Sequence, residues 1–291
     1  MKHISYFLIL LLIAGSLSCS SGPKTIATLP DAGIRATNLF LYYDNLEEAE
    51  SFYTRLLGLE KVADYSMAVI LRVGIDSYLT LVDAEYGLHS TDEAKSVAVA
   101  LLTEELEEWY DYLRTQDVEI TYKLKSNPDN PHDGFVALDP QGYQLEFERF
   151  NDHPENKKLI PLQRANPTIS PKATRETDVP EGLGFHGMVT WLYYKDLEQM
   201  QHFYEHVFGL DLTVDQGWTK IYQVSDAGFI GLVDESRGMC DWAEHKAVNV
   251  GFIIDDLEGW LRTIKRDDLF PLRSDSIEED EESRYRAVVG R

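Results

Sequence analysis

The sequence predicts an α+β protein made of two tandem copies of one domain. Each copy is a pair of strand–helix–strand–strand–strand (βαβββ) units. Two observations predict this. The first is a repeat: Leu41-Tyr42-Tyr43, Phe52-Tyr53 and Gly58-Leu59 recur as Leu192-Tyr193-Tyr194, Phe203-Tyr204 and Gly209-Leu210, 151 positions later (192 − 41). The offset holds without a gap. Leu81-Val82-Asp83 falls on Leu232-Val233-Asp234, Leu106-Glu107 on Leu257-Glu258, and Trp109 on Trp260. An ungapped match of this length means duplicated structure. The second observation is the pattern inside a copy, where one run of helical spacing is followed by short strand-like runs, and the order then restarts.

The elements follow in order. Asn38 to Tyr43 reads as a strand, with Asn38, Phe40 and Tyr42 on one face and Leu39, Leu41 and Tyr43 on the other. A helix follows, capped by Asp44 or Asn45, with Glu47 and Glu48 in its first turn. Leu46, Ala49, Tyr53 and Leu56 form its buried stripe, and Gly58 ends it. Strands are predicted around Leu59 to Asp64, Met67 to Val73 and Tyr78 to Val82. The second unit has a strand over Val97 to Leu102, a helix over Glu104 to Arg114, and strands near Val118 to Tyr122, Gly134 to Leu138 and Tyr143 to Phe150. This gives a first domain over 34–150. Residues 151–182 hold five prolines and no sustained periodicity, and read as a linker. The second domain covers 183–291. At the same offset the partner of Glu146 would be position 297 (146 + 151), so this domain is expected to lack its last strand. The edge left open would be filled by a longer chain or by a partner chain adding a strand.

Composition narrows the function. The formal net charge is −23, which repels nucleic-acid phosphates and excludes that class of partner. The N-terminus reads as a targeting segment: Lys2 and His3 precede an apolar run from Ile4 to Ala14, too short to span a bilayer. Cys19 follows, so residues 1–18 resemble a lipoprotein signal peptide with acylation at Cys19, and 19–33 a tether. The protein is then expected in a bacterial cell envelope, anchored in the lipid bilayer and facing the periplasm or the outside. The acidic run Glu278 to Glu282 lacks calcium-loop spacing and reads as a solvated hairpin loop.

The paired units, the run Asp196-Leu197-Glu198 with Phe203-Tyr204 and Gly209-Leu210, and the ending Asp139-Pro140-Gln141-Gly142-Tyr143-Gln144-Leu145-Glu146 together resemble the vicinal oxygen chelate superfamily. That superfamily contains glyoxalase I, bleomycin-resistance proteins and extradiol dioxygenases. The resemblance implies curved half-barrel sheets, with the two units of each domain enclosing a cup. In metal-dependent members it implies ligands on the first, fourth, fifth and eighth strands, including His on the first and Glu on the eighth. Those positions are here Asn38, Thr80, Ala98 and Glu146, then Val189, Gly231 and Asn249. Val189, Ala98 and Gly231 have no donor atoms, so Glu146 is the one remnant anionic ligand, and no metal cofactor is expected. Asn38, Thr80, Ala98 and Glu146 are expected to converge on one cavity with no His in reach.

What remains is aromatic. Phe40, Tyr42, Trp191 and Tyr193, with Asn38, Thr80, Asn249 and Glu146, would line a dry pocket for a small organic molecule. The same rings would serve equally as core. Three function classes fit: a metal-free small-molecule binder, a lyase- or dioxygenase-like enzyme with a divalent metal (Fe, Mn, Ni or Zn) on atypical ligands, and a structural or partner-binding lipoprotein.

Overall fold

The computed structural model describes residues 8–10, 33–171, 177–280 and 285–291. Cys19 and residues 19–32 of the expected tether lie outside them. Strand β1 is Leu8–Leu10. Unit one holds β2 (Ile34–Tyr43), α1 (Leu46–Ser51), β3 (Glu60–Asp64), β4 (Ala68–Arg72) and β5 (Ser77–Asp83). Unit two holds β6 (Val97–Leu102), α2 (Leu106–Thr115), β7 (Ile120–Lys125), β8 (His132–Leu138) and β9 (Gln144–Phe150). Helix α3 (Leu159–Arg164) follows. Unit three holds β10 (Gly187–Tyr194), α4 (Leu197–His206), β11 (Asp211–Asp215), β12 (Thr219–Gln223) and β13 (Gly228–Asp234). Unit four holds β14 (Val248–Ile254), α5 (Leu257–Asp267), β15 (Glu278–Asp280), β16 (Tyr285–Ala287) and β17 (Val289–Gly290).

The local chemistry is as the residues require. Asn45 caps α1 by accepting from the Glu48 N–H, and Asp196 and Asp256 cap α4 and α5 in the same way. Helix α1 runs on through one wide turn, Phe52–Leu56, and Gly58 leaves it at φ +71°. Of the acidic run, Glu278–Asp280 form β15 and pair with β16, and Glu281 and Glu282 lie outside the described residues.

The α+β class of paired units and curved sheets stands, but which units pair differs from the expectation. The eight-stranded sheet runs β11-β12-β13-β10-β6-β9-β8-β7, so unit three pairs with unit two. The seven-stranded sheet runs β17-β1-β14-β2-β5-β4-β3, so unit four pairs with unit one. Each cup therefore takes one unit from each copy. The reason is that the first strand of a unit pairs in parallel with the last, as β6 does with β9, and keeps its other edge free. Periodicity shows that free edge but not its partner. Strand β6 takes β10, with Ala98 opposite Trp191, and β2 takes β14, with Phe40 opposite Asn249.

In units one to three the last strand lies beside the first. In unit four β1 holds that place, antiparallel to β14 and parallel to β17. Among the described residues no strand of the second copy occupies it. Leu8–Leu10 falls within the segment expected to be a signal peptide, yet it pairs inside this sheet.

One continuous core holds the helix-facing sides of both sheets. Leu39, Leu41 and Tyr43 of β2 meet Val97, Val99 and Leu101 of β6, with Trp109 of α2 and Trp260 of α5 fully buried among them. The opposite faces form the cups. The segment read as a linker is partly built into one of them: Leu159 and Ile160 of α3 join the apolar cluster of Ala98, Ala100, Val189 and Trp191. The helix is six residues long and carries Pro161 in its first turn, where a missing N–H costs nothing. It is too short for a periodic signal.

Candidate functional site

The site is best built from β9. Alternation puts Leu145 and Phe147 in the core and leaves Gln144, Glu146, Glu148 and Phe150 on the concave face of the cup made by units two and three. Strand β8 pairs with β9 so that Gly134 faces Glu148 and His132 faces Phe150. Gly134 presents no side chain, and Glu146 Oε1 lies 3.7 Å from where a Cβ there would sit. The imidazole of His132 thus reaches diagonally, with Nδ1 3.9 Å from Glu148 Oε1. One donor atom each from His132, Glu146 and Glu148 lies within 4.8 Å of the others.

The other wall comes from unit three. Trp191 and Tyr193 of β10, Trp218, Ile221 of β12 and Val233 of β13 enclose a cavity of about 180 Å³ with Glu146, Glu148 and Phe150. Gly231, at a ligand position implied by the resemblance, has become a seat for Trp191: a Cβ on it would lie 1.9 Å from the indole ring. Arg237 stacks over Trp218, its guanidinium carbon 4.7 Å from the ring centre.

The carboxylates are electrostatically strained. Burial pushes Glu146 up to about 7. Glu148, 1% exposed, is pushed well up by burial first and then by the Glu146 charge. The Trp191 indole offsets a little of this, but its N–H and Glu148 Oε2 each lack a full hydrogen-bond partner. Burial holds His132 below the usual imidazole range, against smaller opposing effects of Asp133 and Glu155.

The cup of units one and four is different. Thr80 Oγ1 donates to Asn38 Oδ1 at 2.9 Å. The Tyr42 hydroxyl donates to Asn249 Oδ1, whose amide nitrogen contacts His89 Nε2 at 3.0 Å, and His89 Nδ1 meets Glu93 Oε2 at 2.6 Å. Phe40, Tyr42, Ala287 and Val289 fill its base. A cavity of about 270 Å³ lies over Phe40, Tyr42, Ile70, Thr80 and Val82.

The expected set is thereby split. Asn38, Thr80, Phe40, Tyr42 and Asn249 belong to one cup, and Ala98, Glu146, Trp191 and Tyr193 to the other. Asn38 and Thr80 do not converge with Ala98 and Glu146, because β2 pairs with β14 rather than β6. Nor is Glu146 without a His in reach. His132 and Glu148 went unread, although Glu148 shares Glu146's face by parity. His132 fell two residues before the predicted strand start at Gly134, since polar His132-Asp133 reads as a loop end.

Residues 35–147 match the family model of the Glyoxalase/Bleomycin resistance protein/Dioxygenase superfamily. Over about nine-tenths of its length the chain shares the fold of two-copy solved structures. Glyoxalase I from Zea mays superposes with a TM-score of 0.51 at 13% identity, over 88% of this chain and 92% of that one. A dioxygenase candidate from Bacillus subtilis subsp. subtilis str. 168 gives a TM-score of 0.51 at 15% identity, over 92% of this chain and 86% of that one. Comparison with curated proteins gives no match.

A metal fits one place and not the others. Ala98, Val189 and Gly231 offer no donor, and Asn38, Thr80 and Asn249 offer only neutral oxygens already engaged with neighbours. His132, Glu146 and Glu148 offer an imidazole and two carboxylates around an unpartnered buried oxygen.

Proposed function

We propose that the protein binds a small organic molecule in the cup of units two and three. The observation that carries this is the meeting of Trp191, Trp218, Tyr193 and Phe150 with buried polar atoms that lack a full hydrogen-bond partner, Glu148 Oε2 and the Trp191 N–H. Aromatic walls favour a flat apolar body, and the unsatisfied atoms favour a polar end. Trp191→Ala is expected to weaken binding of such a molecule at least about tenfold, or about 1.4 kcal/mol. Phe40→Ala, in the other cup, should leave it intact. The measurement is quenching of tryptophan fluorescence across a panel of flat aromatic compounds. If no compound binds, or if Trp191→Ala binds as the wild type does, the reading fails.

The same proposal places the protein on a cell envelope through acylated Cys19, supported by the apolar run Ile4 to Ala14 ahead of it. Several acyl chains, at about 0.8 kcal/mol per buried CH₂, anchor firmly. Cys19→Ala should move the protein to the soluble fraction, and a variant that stays on the membrane contradicts the anchor. Cleavage before Cys19 would remove β1 and open the edge of β14 to a strand from a partner chain.

A further inference from the structure

We infer that His132, Glu146 and Glu148 bind one divalent first-row cation at the base of this cup. The argument starts from an imbalance. Glu146 and Glu148 occupy successive positions on one face of β9, and among the described residues neither pairs with a Lys or Arg. The cation that lines the cup, Arg237, is stacked on Trp218 instead. A buried carboxylate beside a half-buried one is relieved by a shared proton or by a positive charge between them. A shared proton would bridge one pair of oxygens. It would give no reason for an imidazole at the same point.

A cation satisfies all three groups together. Ligand atoms about 2.0–2.2 Å from a metal lie roughly 3–3.5 Å apart. The observed donors, within 4.8 Å of one another, need to close by little more than an ångström. His132 can supply that movement, since its side chain is 39% exposed while Glu148 is fixed. Nitrogen with two carboxylate oxygens suits Zn, Mn, Fe, Co or Ni; calcium would want six or more oxygens. Three protein ligands would also leave coordination positions open to a bound molecule. The ligand set is this chain's own. Of the positions implied by the family resemblance it uses Glu146 alone, and it recruits Glu148 two residues further along β9 and His132 from the neighbouring strand.

The inference extends the cup reading given above, and it rests on that reading only for the claim that the cation faces a bound molecule. The experiment is therefore done without any organic ligand. The full chain is stripped with chelator and titrated with Zn²⁺ and with Mn²⁺, with bound metal counted by elemental analysis after dialysis and affinity read by calorimetry. One equivalent per chain is expected. Glu148→Gln, close in shape, and His132→Ala should each weaken binding by tenfold or more, with far-ultraviolet circular dichroism confirming the fold. A double replacement of the exposed pair His202 and His206 on α4 should change nothing. Absence of binding in the wild type, or binding unaltered by both Glu148→Gln and His132→Ala, overturns the inference. So does loss of binding on replacing the α4 pair. Because the metal is counted with no organic molecule present, failure of the organic-molecule reading remains distinguishable.

Discussion

Residues 34–150 expressed alone are expected not to form a stable monomer. The segment is a continuous copy, and the family model covers most of it. Its two units nevertheless lie in different sheets. Cutting after 150 strips β14 from β2 along seven paired positions and β10 from β6 along six. Two long apolar strands then become edges, which drives self-pairing. The cut also removes Phe185, which stacks on Trp109 with ring centres 4.8 Å apart, and Val189 and Trp191, which cover Ala98 and Ala100. Sedimentation should show a dimer, a larger species or an unfolded chain. Co-expression with 183–291 should restore a one-to-one complex. A monomer that unfolds cooperatively would show instead that β2 can pair with β6, the arrangement suggested by chain order.

Asp139→Ala is expected to cost about 2–4 kcal/mol, the scale of leaving several buried donors without their acceptor. Asp139 opens the Asp-Pro-Gln-Gly turn before β9 and is 5% exposed. Its carboxylate accepts from the Tyr43 hydroxyl at 2.7 Å and the Tyr53 hydroxyl at 3.0 Å. It also accepts from the backbone N–H of Gln141 at 3.0 Å and of Tyr143 at 2.8 Å. Burial raises its pKa, and these four donors oppose that by holding the ionised form. With the carboxylate gone, two buried hydroxyls and two turn amides compete for no acceptor, at roughly 1–3 kcal/mol each before relaxation. Tyr43 and Tyr53 can fall back on each other, 3.2 Å apart, so the sum is not reached. The second copy shows that fallback. The counterpart of Asp139 is Gly290 (139 + 151), and Tyr194 and Tyr204 there share only one hydrogen bond, at 3.4 Å. Urea unfolding of Asp139→Ala and Asp139→Asn measures it, with the amide variant losing less. A loss under about 1 kcal/mol for the alanine variant would mean that the turn does not tie unit two to unit one, since most surface changes cost that little.

Much of the fold was legible. The strand over Val97 to Leu102 has the expected bounds, and Asn45 caps α1, because alternation and capping are local chemistry. The site was less so. Glu146 was readable from its place after the turn, and Trp191 and Tyr193 from parity. Glu148 lay on the same face and needed only the same rule. His132 required knowing that β8 extends past Gly134 to pair with Phe150, which is a property of two strands and not of one. Helix α3 buries Leu159, Ile160 and Gln163, and its six residues are stabilised by docking against the cup rather than by propensity.

The sequence by itself determined the repeat, the βαβββ units, which face of each strand is concave, and the loss of donor atoms at Ala98, Val189 and Gly231. All of these follow from identity, spacing and a two-residue period. Only the tertiary structure decided that units two and three share a cup, that Trp191 occupies the space freed at Gly231, and that His132 meets Glu146 and Glu148. Each of those depends on which free strand edge finds which partner. Edge pairing is decided by the packing of residues more than a hundred positions apart in some pairs, as with Phe40 and Asn249, and leaves no local trace.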